Sequence, residues 1–284
     1  MKRAWHSDEL VEQWTILPEE QQWIGNKYGP TRLGFAVLLK FFQHEGRFPR
    51  QPAEVPRGIV EYLAQQVDVG PEAWEQYDWH GRSIEYHRAQ IRQHLGFREA
   101  SIADGEGLRT WLCEQVLATT HRVDHVREAF YQRCRESRLE PPTPERTERL
   151  LRSAFHQFET QFSEQVLDQL LPATRQQLDA LLAAEAPPVD AEHTAEPALA
   201  DQALLHELRA DPGRASLDNL LRTITNLERV RDLDLPLALF SPLGPKVLQS
   251  YRQRAAVEAP YELRRHPEAL RMTLLAVFCH CRRR

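Results

Sequence analysis

Arginine side chains recur at helical spacing in two stretches of the sequence, and this pattern has the clearest chemical use. In GRSIEYHRAQIRQHLGFR, Arg88 and Arg92 lie one helical turn apart. In PTPERTERLLRSAFHQF, three arginines follow one another at intervals of three residues: Arg146, Arg149 and Arg152. The planar guanidinium group donates paired hydrogen bonds to phosphate oxygens and to the edge of guanine. The spacing predicts cationic helix faces suited to nucleic acid, and the alternative is a surface of ion pairs with neighbouring glutamates.

Other residue groups have weaker chemical signals. His121 and His125 lie four residues apart, as zinc ligands on one helix face do, but a third ligand is not evident in the sequence. Cys279 and Cys281 flank His280 without a second ligand pair. The sequence contains no GxxxxGK phosphate loop and no recognisable nucleophile elbow. We therefore predict no metal site, no cofactor and no catalytic residue in this chain.

Composition favours a folded, water-soluble protein. Of the 284 residues, 42% are hydrophobic and 27% are charged, which predicts a packed core. The net charge of −5 argues against a general basic coat for nucleic acid, although the charge is uneven along the chain. The four cysteines lack the spacing of a disulfide framework, and the sequence shows no signal peptide and no membrane-spanning apolar run. We expect a cytoplasmic protein.

Helical periodicity covers almost the whole chain, so the predicted fold class is all-α. The stretch from Gly29 to Arg50 is apolar on nearly every side, which predicts a central helix that Thr31 opens and Gly46 ends. Lys40 lies in the middle of this helix, and we expect its stem to extend along the protein surface.

The predicted organisation is a tandem array of small helical, helix-turn-helix-like domains. Thr143 and Pro144 are a suitable N-cap and first residue for the second helix of such a pair. An Ala/Pro/Glu-rich stretch without apolar periodicity predicts a linker, and the apolar segment after it ends without a stop signal, so the last domain is expected to be truncated. The assigned modules are residues 1–70, 71–120 and 121–182, followed by the linker 183–200 and the start of a further helical domain at 201–284.

Long, ordered stretches of the sequence carry a family resemblance. They are LGFAVLLKFFQHEGRFPR, VEYLAQQV, YDWHGRSIEYHRAQIRQHLGFRE and EPPTPERTERLLRSA, and beyond the linker DPGRASLDNLL and SYRQRAAVEAPYELRRHPEALRMTLLAVFC. These stretches resemble the N-terminal region of the Tn-three family transposases, the TnpA enzymes of replicative transposons. The resemblance implies helix-turn-helix DNA-binding domains that recognise the terminal inverted repeats of the transposon, in double-stranded DNA of the bacterial nucleoid.

The resemblance also implies where the chemistry of that family takes place. The family transfers phosphoryl groups with an RNase H-like domain, in which two aspartates and one glutamate hold two magnesium ions. The present sequence shows no such sheet and stops near the start of the family's dimerisation region. We therefore expect DNA recognition without catalysis, with magnesium restricted to the missing domain and with a second copy or a full-length transposase as protein partner.

Cationic residues and one histidine within the matched stretches are expected to bind DNA. They are Lys27, Arg32, Arg47 and Arg50 in the first module, Arg82, His87, Arg88, Arg92 and Arg98 in the second, and Arg146, Arg149 and Arg152 in the third. Two alternatives remain at this point. The chain is a fragment of an active phosphoryl-transfer enzyme, or it is a helical interaction protein that associates with intact transposase through residues 200–284. An apolar end that we expect to be exposed, at Leu274, Leu275, Val277 and Phe278, is the reason for the second alternative.

Overall fold

The computed structural model describes residues 5–182, 205, 208–209 and 216–283, and these residues are predominantly helical. The predicted linker, residues 183–200, lies outside the described residues. The α-helices in the described ranges are α1 (Ser7–Trp14), α2 (Pro18–Ile24), α3 (Gly29–Glu45), α4 (Arg57–Gln66), α5 (Arg82–Leu95), α6 (Ile102–Trp111), α7 (Val123–Glu136), α8 (Pro144–Gln169), α9 (Pro172–Ala180), α10 (Leu217–Asp232), α11 (Pro245–Val257), α12 (Pro260–Arg265) and α13 (Glu268–Arg283). The predicted all-α fold class is confirmed.

Short elements complete the described chain. Two 3₁₀ helices cover Pro52–Glu54 and Pro71–Trp74, and a π-helical segment at Leu112–Val116 follows α6. Strands β1 (Arg98–Glu99) and β2 (Leu139–Glu140) have two residues each and pair in parallel. None of the helices in the described ranges is long and apolar enough to cross a lipid bilayer.

The chain divides into two compact units. Unit 1 contains residues 1–108 and 128–148, and unit 2 contains residues 109–127 and 149–284. The core of unit 1 takes buried side chains from Trp14 to Ile91, on both sides of residue 70. The three-module division stays a prediction.

Helix α3 is the central element of unit 1. Every side chain position from residue 33 to residue 42 is buried, and α2, α4, α5 and the 3₁₀ helix Pro71–Trp74 pack against it. The helix ends at Gly46, which adopts a left-handed conformation (φ 71°) and donates its N–H to the carbonyl of Phe42 at 2.8 Å. The predicted central helix and its C-terminal glycine are confirmed, although the helix begins at Gly29 and not at Thr31.

The expected position of Lys40 on the surface is wrong. Its side chain is only 7% exposed, and Nζ lies 3.2 Å from Oε2 of Glu20, which is itself buried. Gln43 donates its amide to the second oxygen of the same carboxylate at 2.6 Å. Because neighbours surround α3 on all sides, the lysine stem has no path to water, and a carboxylate of α2 compensates the charge inside the protein.

In unit 2, α13 is buried by α9, α10 and α11. Leu274, Leu275 and Val277 are fully buried, and Phe278 is 1% exposed. The expected exposed apolar end is therefore wrong, because the neighbouring helices cover that segment. An exposed apolar row of unit 2 lies instead on α10, where five side chains at helical spacing face solvent: Leu217, Leu220, Leu221, Ile224 and Leu227.

A candidate nucleic-acid interface

Five arginines of unit 1 line two adjoining cavities around the turn at residues 140–143. The first cavity, of about 490 Å³, is lined by Arg88, Arg92 and Arg146 together with this turn. The second, of about 290 Å³, is lined by Arg47, Arg50, Arg88 and the same turn. We call this surface the arginine groove and define it by the five arginines and residues 140–143.

Local sequence signals position each wall of the groove. Arg47 and Arg50 follow the glycine that ends α3, and Arg88 and Arg92 lie one turn apart on α5. Arg146 lies in the first turn of α8, where its backbone N–H donates to Oγ1 of Thr143 at 3.4 Å. This contact confirms the predicted N-cap. The parallel pairing of β1 with β2 then brings residues 98–99 beside residues 139–140.

Arg92 is held by two carboxylates of the groove. Its Nη1 donates to Oε2 of Glu140 at 2.6 Å, and its Nη2 lies 2.7 Å from Oε1 of Glu99. Burial raises the pKa of Glu140, and the hydrogen bond from Arg92 opposes that shift. The charge of Arg92 is therefore largely compensated within the protein, and its contacts fix the shape of the first cavity.

Arg88 connects α5 to the segment that follows α3. Its Nη2 donates to the carbonyl of Pro49 at 3.0 Å, and its guanidinium carbon lies 5.4 Å from the centre of the Phe48 ring. Burial lowers its pKa, although the group keeps its charge at neutral pH because an arginine starts from a very high value. Arg88 thus adds positive potential to the groove and holds the residues around Arg47 in place.

Arg47 and Arg50 differ in how tightly the protein holds them. Arg47 donates to Oε2 of Glu54 at 2.8 Å and to the carbonyl of Phe48 at 3.1 Å. The side chain of Arg50 is 50% exposed and lies 3.9 Å from Glu54, beyond hydrogen-bond distance. Arg50 can therefore turn toward an incoming anion with little loss of protein contacts.

Two of the expected DNA-binding residues lie inside unit 1. Nζ of Lys27 donates to the carbonyl of Trp23 at 2.8 Å and lies 3.9 Å above the Phe35 ring, and burial lowers its pKa. Nδ1 of His87 shares a 2.8 Å hydrogen bond with the hydroxyl of Tyr77. Burial, followed by the nearby charge of Lys27, lowers the pKa of His87 to about 4. Both groups make their contacts inside the core of unit 1 and lie away from the arginine groove.

The remaining expected residues lie outside the groove. Arg32 is half-buried near the start of α3, and Arg82 is the exposed first residue of α5. Arg98 is exposed and donates to both oxygens of Asp104 at 2.6 and 2.7 Å, which lowers the pKa of that carboxyl group. Arg149 and Arg152 are exposed residues of unit 2. The structure thus gathers Arg47, Arg50, Arg88, Arg92 and Arg146, and leaves the other predicted residues apart.

Carboxylates that shape the groove were not predicted from the sequence. Glu99 and Glu140 reach Arg92 from two-residue strands, which are too short to give an alternating pattern.

The candidate zinc ligand His121 packs instead against the rings of Phe155, Phe158 and Tyr251. Within the described residues, no three His, Cys, Asp or Glu side chains are placed to hold a metal ion.

These observations define an all-α protein with a cationic groove in unit 1. The chain belongs to the family described as "Domain of unknown function (DUF4158)", which matches residues 1–154.

Comparison with curated proteins identifies transposases as relatives. The transposase for transposon Tn1546 of Enterococcus faecium is 21% identical over 87% of this chain and 24% of its own length. The transposase for transposon Tn501 of Pseudomonas aeruginosa is 22% identical over 95% of the chain and 26% of its own length. The transposase for transposon Tn3926 of Escherichia coli is 24% identical over 82% of the chain. The resemblance to the N-terminal region of the Tn-three family transposases is confirmed, and the chain spans about a quarter of the length of these relatives.

Proposed function

We propose that this chain is a DNA-binding part of a transposase and that it binds the terminal inverted repeats of a transposon through unit 1. The arginine groove is the observation that carries the proposal. It gathers five guanidinium groups from three sequence regions onto one surface. The relatives are all named as transposases for transposons, so the polyanion proposed for this surface is DNA.

Within the groove, the arginines have different tasks in this proposal. Arg88 and Arg92 are held by Pro49, Glu99 and Glu140, so they set the shape and the positive potential of the surface. Arg146, which lines the first cavity, and Arg50, which lines the second, contact phosphates in this proposal. Each phosphate contact adds counterion release, so affinity falls steeply with salt.

Fluorescence anisotropy tests this proposal. The purified chain is titrated into the inverted-repeat duplex that flanks its coding sequence and into a shuffled duplex of the same composition, at several salt concentrations. We expect binding of the repeat to be about tenfold tighter than binding of the shuffled duplex, or more, near physiological salt. Arg50→Ala and Arg146→Ala should each reduce the log–log salt slope by about 0.9.

Arg57→Ala is the matched control for these variants. Arg57 is an arginine of unit 1 whose side chain is 91% exposed, and it lines neither cavity of the groove. Its replacement should leave the salt slope unchanged. Negligible binding to both duplexes would refute DNA recognition by this chain, and an equal loss for Arg57→Ala and Arg146→Ala would refute the groove as the interface.

We also propose that phosphoryl transfer belongs to other parts of a longer transposase. The chain spans about a quarter of the relatives, and its described residues hold no cluster of three potential metal ligands. Incubation of the chain with the repeat duplex and magnesium should therefore leave the DNA uncut. Strand cleavage by the purified chain would overturn this assignment.

A second candidate function is self-association through α10, in place of DNA binding. The row formed by Leu217, Leu220, Leu221, Ile224 and Leu227 repeats at the spacing of a helix-pairing seam, and Leu217 is 71% exposed. Light scattering coupled to size exclusion would show a dimer that Leu220→Glu dissociates. The control Leu237→Glu changes a strongly exposed leucine outside this row and should leave the dimer intact. A monomer at all concentrations would eliminate this candidate.

A further inference from the structure

Helix α5 has one face that is fixed firmly in the core of unit 1. Ile84, His87 and Ile91 are buried, and the His87 ring stacks on Tyr77 at an interplanar angle of 11°. The hydrogen bond between the Tyr77 hydroxyl and Nδ1 of His87, together with the edge contact of His87 on Phe35, fixes which face of the helix is buried. The direction of the opposite face is therefore set by the core.

The opposite face of α5 is an outward row of four exposed residues. Arg82, Tyr86, Ala89 and Gln93 follow one another at intervals of four, three and four positions, which places them on one line along the helix. Tyr86 is 62% exposed, and its hydroxyl accepts a hydrogen bond from the amide of Gln90 at 3.1 Å. We call this line the α5 row. At about 1.5 Å per residue it is roughly 17 Å long, which exceeds the ~12 Å width of the DNA major groove.

The chemistry of the α5 row suits base edges. An arginine donates two hydrogen bonds to guanine, a glutamine pairs with the N6 and N7 atoms of adenine, and an alanine methyl contacts the thymine methyl group. Ala89 also lies in the middle of the row, where a small side chain lets the helix approach the bases closely. No carboxylate lies in the row, and Glu85 on its flank lines the first cavity of the groove.

The arginine groove lies beside the same helix. Arg88 and Arg92 project from the flank of α5 into the groove, so phosphate contacts there accompany contacts of the row with bases. Helices α1, α2 and α3 offer less suitable faces. Helix α3 is buried on all sides, and the first turns of α1 and α2 each carry two carboxylates.

We infer that α5 enters the major groove and that Arg82, Tyr86, Ala89 and Gln93 determine which base pairs the protein prefers. This inference rests on the proposed function and assigns the source of its sequence preference. The arginine groove binds the backbone of the same duplex, which gives affinity without sequence information.

The test uses the full chain, the inverted-repeat duplex, the shuffled duplex and a set of repeat duplexes with single base-pair substitutions. Gln93→Ala should weaken binding of the repeat by about tenfold, because one paired contact to a base is lost. Binding of the shuffled duplex and the salt slope should not change. The wild-type protein should be sensitive to substitution of one particular A·T pair, and Gln93→Ala should lose that sensitivity.

Gln65→Ala is the matched control, since Gln65 is an exposed glutamine on α4 in the same unit. If the wild-type protein does not prefer the repeat, the proposed function fails and this inference fails with it. If the wild-type protein prefers the repeat and Gln93→Ala, Tyr86→Phe and Arg82→Ala all keep its base-pair profile, the function stands and the role of α5 is refuted. Equal weakening on both duplexes, with a shallower salt slope, would assign the row to phosphates and also refute the inference.

Discussion

Replacing Lys40 by methionine tests how much stability the core of unit 1 loses when the buried Glu20 has no cationic partner. The substitution keeps the length of the side chain and removes the ammonium group that lies 3.2 Å from Glu20. Glu20 then remains as a buried carboxylate without its cation. The reverse change, Glu20→Gln, leaves the ammonium group of Lys40 buried without its anion.

The expected loss follows from the contacts that remain. Removing one partner of a buried ion pair typically destabilises a protein by about 3–5 kcal/mol. Glu20 still accepts hydrogen bonds from the backbone N–H of Leu17 at 2.8 Å and from Gln43 at 2.6 Å, which stabilise its charge. We therefore expect Lys40→Met to lower the free energy of unfolding by about 3 kcal/mol, the lower end of that range.

The double variant separates the pair from its surroundings. With both charges removed, neither is left uncompensated, so Lys40→Met with Glu20→Gln should cost about 1 kcal/mol, less than either single change. Urea unfolding followed by tryptophan fluorescence is a suitable assay, since five of the six tryptophans lie in unit 1. If the losses of the two single variants add up to the loss of the double variant within about 0.5 kcal/mol, the two residues do not interact and the reasoning is refuted.

Three further predictions concern stability and reactivity. Burial lowers the pKa of His87 to about 4, so as the pH falls below 6.5 the unfolded chain takes up a proton at this residue before the folded chain does. The free energy of unfolding should therefore fall by about 3 kcal/mol between pH 6.5 and pH 4 because of His87, and His87→Gln should flatten that part of a stability–pH profile. Gly34→Ala should cost about 2–3 kcal/mol, because its Cβ would lie 2.3 Å from the Tyr77 ring, whereas Gly58→Ala on α4 meets no atom within 4 Å and should gain about 0.5 kcal/mol in the same urea assay. A thiol reagent at pH 8 should modify Cys281, which is half-exposed, well before the three buried cysteines, and equal rates for all four in the folded protein would contradict the described packing.

Local sequence signals were sufficient for many helix boundaries. Helix α3 ends at Gly46, the glycine predicted as its C-terminal stop. Thr143 is the N-cap of α8, and Ser216 accepts the N–H of Asn219 at the start of α10, as expected for these residue types. Caps and helical periodicity act within a few residues, so they can be read without knowledge of the rest of the chain.

The same signals did not show which apolar segments are buried and which are exposed to solvent. The apolar residues of α13 were expected to be exposed and are buried, while the apolar row of α10 faces solvent. Both segments carry hydrophobic residues at helical spacing, and only the placement of neighbouring helices distinguishes them. For the same reason the sequence could not show that Lys40 pairs with Glu20, which lies on a different helix.

The amino-acid sequence by itself determined the all-α class, the central position of α3 and the presence of arginines at helical spacing, because composition and local periodicity are properties of short segments. Tertiary structure alone decided which arginines share a surface. Arg50, Arg88 and Arg146 are distant in the chain and meet around the turn at residues 140–143, whereas His87, next to Arg88 in sequence, points into the core. The physical reason is that adjacent residues on a helix point in directions about 100° apart, so packing of the helix sends one side chain to the core and its neighbour to the groove.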